Sequence, residues 1–121
     1  NEASMLQIDL VLNIYSDFSK SAVPGAVIGN ALEICLNSAF EAISVQEIQD
    51  RRRLEVVFAE SEQEYTCRLL FPEPLMLDLK GFEATLEPAV KMLGPYGGAL
   101  DLAIANNSVE IFFTLPRQGF E

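Results

Sequence analysis

The sequence predicts an α+β fold, a two-layer α/β sandwich in which a mostly antiparallel sheet of about five strands is covered on one face by helices. Three patterns predict it. Five segments alternate apolar and polar residues, one long segment repeats apolar residues at helical spacing, and short polar turns join two pairs of the alternating segments. The predicted order is strand, helix, strand, strand, short helices, strand, strand. Because each strand has one apolar face, a helical layer is needed to bury it.

The first strand is predicted from strict alternation that starts at Leu6. Residues 16–24 are polar and end in Pro24-Gly25, which indicates a loop leading into a helix. We expect the apolar side of this strand to be buried: Leu6, Ile8, Leu10, Leu12 and Ile14.

The long helix is predicted over residues 26–44. Its polar side chains recur every three or four residues and therefore share one stripe: Asn30, Glu33, Asn37 and Glu41. Its inward face is predicted to carry Ile28, Leu32, Cys35, Ala39 and Ile43, broadened by Leu36 and Phe40.

Two hairpins are predicted in the rest of the chain. A charged turn over residues 46–53 precedes the first, whose strands start near Leu54 and Tyr65 and flank a polar tip at residues 60–63. The second follows the turn at residues 94–98, has Asn106-Asn107 at its tip, and is closed by Pro116.

The segment between the hairpins is harder to assign. Pro72 and Pro74 end the preceding strand because proline cannot donate to a ladder. Residues 75–81 are apolar, and a helical turn is our interpretation. Thr85 is predicted to cap a short helix that tolerates Pro88 in its first turn. The inward residues of this helix are predicted to be Leu86, Ala89, Val90 and Leu93.

Composition limits the classes of function. The 121 residues suit one domain, 1–121, which can be a segment of a longer protein, and no run approaches the roughly eighteen uninterrupted apolar residues that a membrane span needs. The net charge is −10 with only 8 basic residues, so we expect no nucleic-acid partner and no membrane partner. Three of the basic residues form Arg51-Arg52-Arg53, for which a solvated turn and an anion or acidic-partner contact are both open.

The chemistry-bearing residues are few. The chain has no histidine, which excludes a histidine-based triad and a phosphorylatable histidine within it. Cys35 and Cys67 lie on predicted buried faces without CxxC spacing, so we expect small core residues in a reduced, cytoplasmic compartment.

The element order and the residues of the long helix resemble the ATPase-like domain of sensor histidine kinases and its relatives, the gyrase, chaperone and mismatch-repair ATPases. In that family the long helix carries an Asn-containing box. The resemblance places Asn37 at the magnesium-binding Asn and Glu33 at the carboxylate one turn before it. Gly97-Gly98 and Leu115-Pro116 match the family's markers at the two ends of the last hairpin. The fold implied is histidine-kinase ATPase-like.

The departures from the family concern the nucleotide. The family normally has an Asp followed by glycines after the third strand, where the carboxylate binds the adenine amino group. Here that strand runs into Pro72-Glu73-Pro74, and Asp78 and Gly81 are candidates for a displaced adenine site. The interval from Phe82 to Leu93 contains no glycine, although a glycine-rich lid should cradle the phosphates there.

These departures predict a degenerate domain. Glu33 and Asn37 are then vestigial cofactor-binding residues, with no catalytic residue, no metal and no cofactor. The leading hypothesis is a non-hydrolysing docking or dimer-supporting domain, similar to the vestigial domain of histidine phosphotransferases, that works in two-component phosphorelay. Its expected partner is a response-regulator receiver domain or a second copy of itself. The alternatives are an active ATP- and magnesium-binding domain of a sensor kinase and an interaction domain outside signalling.

Overall fold

The computed structural model describes residues 9–15, 21–44, 53–74 and 77–117. Five strands form one sheet, and two helices cover one of its faces. The strands are β1 (Asp9–Ile14), β2 (Arg53–Glu60), β3 (Glu64–Pro72), β4 (Ala99–Ala105) and β5 (Ser108–Pro116). The helices are α1 (Gly25–Ser44) and α2 (Leu79–Leu93), and a 3-10 turn over Gly94–Tyr96 follows α2. The predicted α+β, two-layer architecture is confirmed.

The sheet has the order β1-β2-β3-β5-β4. Three of its four strand pairs are antiparallel, as predicted, and β1 runs parallel to β2. The parallel pair follows from the connection, because the long helix α1 carries the chain back to the end of the sheet where β1 began. The sheet is therefore mixed.

Both hairpins form as predicted, through different turn chemistry. Asn106 and Asn107 have φ of 53° and 62°, and such a two-residue turn matches the twist of the flanking strands. At the other tip, the hydroxyl of Ser61 accepts hydrogen bonds from the backbone of Gln63 and Glu64, at 3.3 and 3.2 Å. Small polar residues thus fix the register of both hairpins.

The core lies between the sheet and the helical layer. Alternate residues of β3 and β5 point into it, and α1 contributes Ala31, Cys35, Ala39, Phe40 and Ile43. Both cysteines are buried and unbridged. Burial raises the pKa of the Cys35 thiol to about 12, and burial with a smaller contribution from Cys35 raises the pKa of Cys67 to about 12. Both side chains are therefore protonated core residues at neutral pH.

Helix α1 is long and apolar enough, by length and composition, to cross a membrane. In this fold it is instead the principal core helix. Its apolar side packs against β3 and α2, and the predicted polar stripe lies on its exposed side.

The burial predicted for β1 is wrong. Leu10, Leu12 and Ile14 are 37%, 54% and 63% exposed, while Leu6 and Ile8 lie outside the described residues. The alternation does assign the faces of the strand correctly, since Leu10 and Leu12 pair with the buried Leu54 and Val56 of β2. The physical reason for the exposure is the position of the strand: β1 is at the sheet edge, whereas α1 lies on β3 and α2 lies on β4.

The start predicted for the second helix is also wrong. The helix begins six residues earlier than Thr85, with Asp78 as its N-cap, and Pro88 lies in its interior. The hydroxyl of Thr85 donates to the carbonyl of Phe82 at 2.6 Å within the helix. Val90 is exposed, whereas Leu86, Ala89 and Leu93 are buried as predicted. An aspartate before the first turn is a strong N-cap, so the earlier start wins.

The charged turn at residues 46–53 lies outside the described residues except for Arg53, which begins β2 and is exposed. The two interpretations of the arginine cluster therefore remain predictions.

Candidate functional site

A groove of about 240 Å³ lies between the second half of α1 and the beginning of α2. It is positioned by the connection from β3, which leaves the sheet at Pro72 and crosses to the helical layer. The residues that line it are Ser38, Glu41 and Ala42 from α1, Pro74, Leu77 and Asp78 from the connection, and Gly81, Phe82 and Thr85 from α2.

Asp78 sets the local geometry at the start of α2. Its carboxylate accepts a hydrogen bond from the backbone N–H of Gly81 at 3.2 Å, and its carbonyl accepts from the N–H of Phe82 at 2.9 Å. A Cβ atom on Gly81 would lie 2.5 Å from the Asp78 carboxylate, so the glycine leaves room for this cap. The two candidates for a displaced adenine site are thus brought together at the groove, in a helix cap.

The floor of the groove is fixed by aromatic packing. Phe82 is buried and meets Phe71 of β3 edge to face, with ring centroids 5.9 Å apart and an interplanar angle of 65°. This contact ties the first turn of α2 to the sheet. The groove is therefore bounded on one side by a rigid part of the core.

The groove combines apolar walls with acidic edges. Glu41 and Asp78 are exposed carboxylates, and none of the described lining residues is basic. Ser38 is only 7% exposed, and its hydroxyl makes no hydrogen bond to the part of the chain that the structure describes. Chemically, this arrangement can accept hydrogen bonds and favours positive charge.

Glu33 and Asn37 lie outside this lining. Both are exposed on the polar stripe of α1, one turn apart, as their spacing predicts. Their assignment as vestigial cofactor-binding residues stays a prediction. No group of three or more Cys, Asp or Glu side chains that could hold a metal ion occurs among residues 9–15, 21–44, 53–74 and 77–117.

Sequence reasoning does not find Ser38 and Thr85 as groove residues, and it places Glu41 only on the polar stripe. A signal exists for Ser38, because it lies one turn after Cys35 and beside Ala39, both on the predicted inward face. A hydroxyl on an apolar helix face needs a partner, which is a reason to look for a cavity there.

Comparison with known proteins identifies the fold. No protein-family description and no curated protein matches the sequence. Two nucleotide-free forms of the catalytic domain of histidine kinase ThkA align with 96% of this chain and 84% of their own, at 13% and 14% identity and TM-scores of 0.73 and 0.75. Histidine kinase AdeS of Acinetobacter baumannii aligns at 9% identity and a TM-score of 0.67, over 98% of this chain and 58% of its own.

A further similar structure is a complex. Histidine kinase ThkA bound to the response regulator protein TrrA aligns over 97% of this chain and 36% of its own, at 11% identity and a TM-score of 0.66. At these identities the shared property is the fold. This chain folds as a histidine-kinase-type, ATPase-like domain, as the resemblance implied.

Proposed function

We propose, from the fold shared with histidine-kinase catalytic domains, that this chain is a non-hydrolysing docking domain in two-component signalling. Its partner in this proposal is the receiver domain of a response regulator. One observation carries the proposal: the carboxylate of Asp78 caps the helix that borders the groove.

A helix N-terminus is a common binding place for phosphate, because its free N–H groups and its dipole favour negative charge. Here Asp78 already supplies that negative charge from within the chain and accepts from the N–H of Gly81. Glu41 adds a second carboxylate to the groove, and the described lining residues offer no lysine or arginine. A triphosphate would therefore meet repulsion where it needs donors.

Size supports the same conclusion. Pockets for drug-sized ligands usually have volumes of about 300–1,000 Å³. The groove, at about 240 Å³, is below that range. The glycine-free interval from Phe82 to Leu93 forms a regular helix, which leaves little freedom for a lid in that interval.

The docking half of the proposal is supported by the comparisons. One similar structure is a histidine kinase in complex with a response regulator. This chain also has a net charge of −10, and such a field accelerates association with a basic patch on a partner.

The second candidate is an active ATP-binding kinase domain, favoured by the exposed pair Glu33 and Asn37 one turn apart on α1. In that case Asn37 would bind magnesium and Glu33 would be the catalytic carboxylate. The two candidates make opposite statements about nucleotide affinity, so a single titration separates them.

We expect calorimetry with ATP and Mg²⁺ to give no saturable heat up to about 1 mM nucleotide. Each tenfold loss of affinity corresponds to about 1.4 kcal/mol of binding free energy, so the loss of several phosphate contacts is enough to weaken a micromolar site beyond detection. Titration with receiver domains should show binding that weakens as the salt concentration rises.

Asn37→Ala should change the affinity for a receiver domain by less than about threefold, because truncating an exposed polar side chain usually costs under about 1 kcal/mol of binding free energy.

Two results would contradict the proposal. Micromolar ATP binding that requires Mg²⁺ and disappears in Asn37→Ala would establish the kinase alternative. Failure to bind ATP and any receiver domain would place the chain outside two-component signalling.

A further inference from the structure

We infer that the groove between α1 and α2 receives the side chain of a lysine or arginine from a protein partner. This inference rests on the proposed docking function and assigns a chemistry to its partner. It makes the groove a cation site rather than a nucleotide site.

The hydroxyl of Ser38 favours a ligand that carries a hydrogen-bonding group. The residue is 7% exposed and lines the groove, yet its hydroxyl makes no hydrogen bond within the described residues. Such a group loses free energy when a ligand covers it without offering a partner. A hydroxyl can both donate and accept, and an ammonium or guanidinium N–H can donate to its oxygen. The two carboxylates beside it only accept, and they are what favours a donor over an acceptor in the ligand.

Two carboxylates give the groove its negative charge. Glu41 and Asp78 lie on opposite sides of it, one on α1 and the other at the start of α2. Only one oxygen of Asp78 is used in the helix cap, where it accepts from Gly81. No side-chain hydrogen bond or ion pair within residues 9–15, 21–44, 53–74 and 77–117 uses the other oxygen or the carboxylate of Glu41, so both can interact with a positive charge.

The shape and polarity of the walls suit a long aliphatic stem. Apolar groups of Ala42, Pro74 and Leu77 line the groove beside these acceptors. Lysine and arginine pack an aliphatic stem on apolar surface and keep the charged end at polar groups. A volume of about 240 Å³ is enough to hold one long side chain.

In this inference the cation belongs to a protein partner rather than to a free small amine. An isolated amine would gain a weak contact at an open groove, whereas a basic side chain on a docked protein is held there by the rest of the interface. The net charge of −10 attracts a basic partner surface toward this chain before contact.

The test is a titration of the full chain with acetyl-lysine methylamide, followed by ¹H–¹⁵N NMR. We expect saturable shifts at the amides of Gly81, Phe82 and Thr85, with a Kd on the order of 10 mM. The same probe with its side-chain amine acetylated should bind at least about fivefold more weakly, because it lacks the charge.

Variants locate the site. Glu41→Gln and Asp78→Asn should each weaken the lysine probe about three- to fivefold. Asparagine caps a helix about as well as aspartate, so Asp78→Asn removes the charge while retaining the cap. Glu87→Gln makes the same charge change at an exposed position of α2 outside the groove lining and should leave the affinity unchanged.

Three results would overturn the inference: no saturable shift, equal binding of the acetylated probe, or equal weakening by Glu87→Gln. These outcomes need neither ATP nor a receiver domain. A receiver that binds while the lysine probe does not would therefore overturn this inference and leave the proposed docking function standing.

Discussion

Gly97 and Gly29 lack a side chain in two different backbone environments. Gly97 has a φ of +80°, in the left-handed region after the 3-10 turn. Gly29 lies on the exposed side of α1, where, apart from its chain neighbours and the backbone of the helix itself, no described atom comes within 4 Å of the position that a Cβ would take. The left-handed conformation of Gly97 disfavours any residue with a Cβ atom. In the helical conformation of Gly29, alanine stabilises the fold more than glycine does.

The same substitution should therefore have opposite effects. Gly97→Ala should lower the free energy of unfolding by about 1–2 kcal/mol, and Gly29→Ala should raise it by about 0.5–1 kcal/mol. Urea unfolding of both variants checks this, with Gly29→Ala as the matched control. A stabilised Gly97→Ala would mean that this turn has another conformation.

Individual site residues can be predicted only where they belong to a repeating pattern. Glu33, Asn37 and Glu41 fall on one exposed stripe because helical spacing alone determines it. The groove is beyond such a pattern, because it depends on where Asp78 lies relative to Ser38. That relation is set by the path of the chain after β3, for which the local sequence has no periodic signal.

At the level of elements, β1 and β2 show how position in a sheet changes the importance of a leucine. Leu10 and Leu54 are paired neighbours on the same face, 37% and 0% exposed. The alternation that predicts burial is the same in both strands. What differs is the position in the sheet, because β2 lies between β1 and β3 whereas β1 is the edge strand.

Leu54→Ala should destabilise the domain by about 2–5 kcal/mol through the cavity it leaves. Leu10→Ala should cost only about 1 kcal/mol, since little of its environment is closed. Chemical denaturation of the two variants, compared with the parent chain, measures the difference. Equal losses would show that another part of the protein covers β1.

Element boundaries are predictable where a turn has its own chemistry. Ser61 and Asn106-Asn107 locate both hairpins, because they stabilise turns by local hydrogen bonds or positive φ. The start of α2 is harder to locate, because Asp78 and Thr85 are both acceptable caps. Asp78 is the stronger cap, and the contact of Phe82 with Phe71 holds the earlier first turn against the sheet.

For the whole molecule, the dominant electrostatic property is self-repulsion. The chain carries 18 acidic and 8 basic residues, and ion pairs such as Arg117 with Glu60, at 3.1 Å, neutralise only part of this excess. Salt screens repulsion between exposed charges, and it does so most strongly in the compact state where they are close.

The free energy of unfolding should therefore rise by about 1 kcal/mol between about 0.05 and 0.5 M NaCl. Urea unfolding at both salt concentrations measures it. A variant with Glu62, Glu83 and Glu87 changed to lysine has a lower net negative charge and should show a smaller rise. A fall in stability with salt would mean that attractive pairs outweigh the repulsion.

The overall architecture can be predicted further than either the site or the edge strand. Element order and two hairpins are enough to predict a sheet with one helical layer, because few arrangements bury all the apolar faces. The parallel pairing of β1 and β2 follows from the intervening helix only once the two strands are known to be neighbours, and alternation within a strand does not identify its neighbour.

The parallel pairing of β1 with β2 also affects folding during synthesis of the chain. Asp9 pairs with Arg53, so all of α1 separates β1 from its only strand neighbour in the described sheet. Ribosomes add about 5–20 residues per second, and β1 therefore waits some seconds during synthesis before β2 exists. Throughout that wait Leu10, Leu12 and Ile14 have no strand to pair with. The newly made chain is then most prone to capture by chaperones, or to joining another nascent chain, at its edge strand.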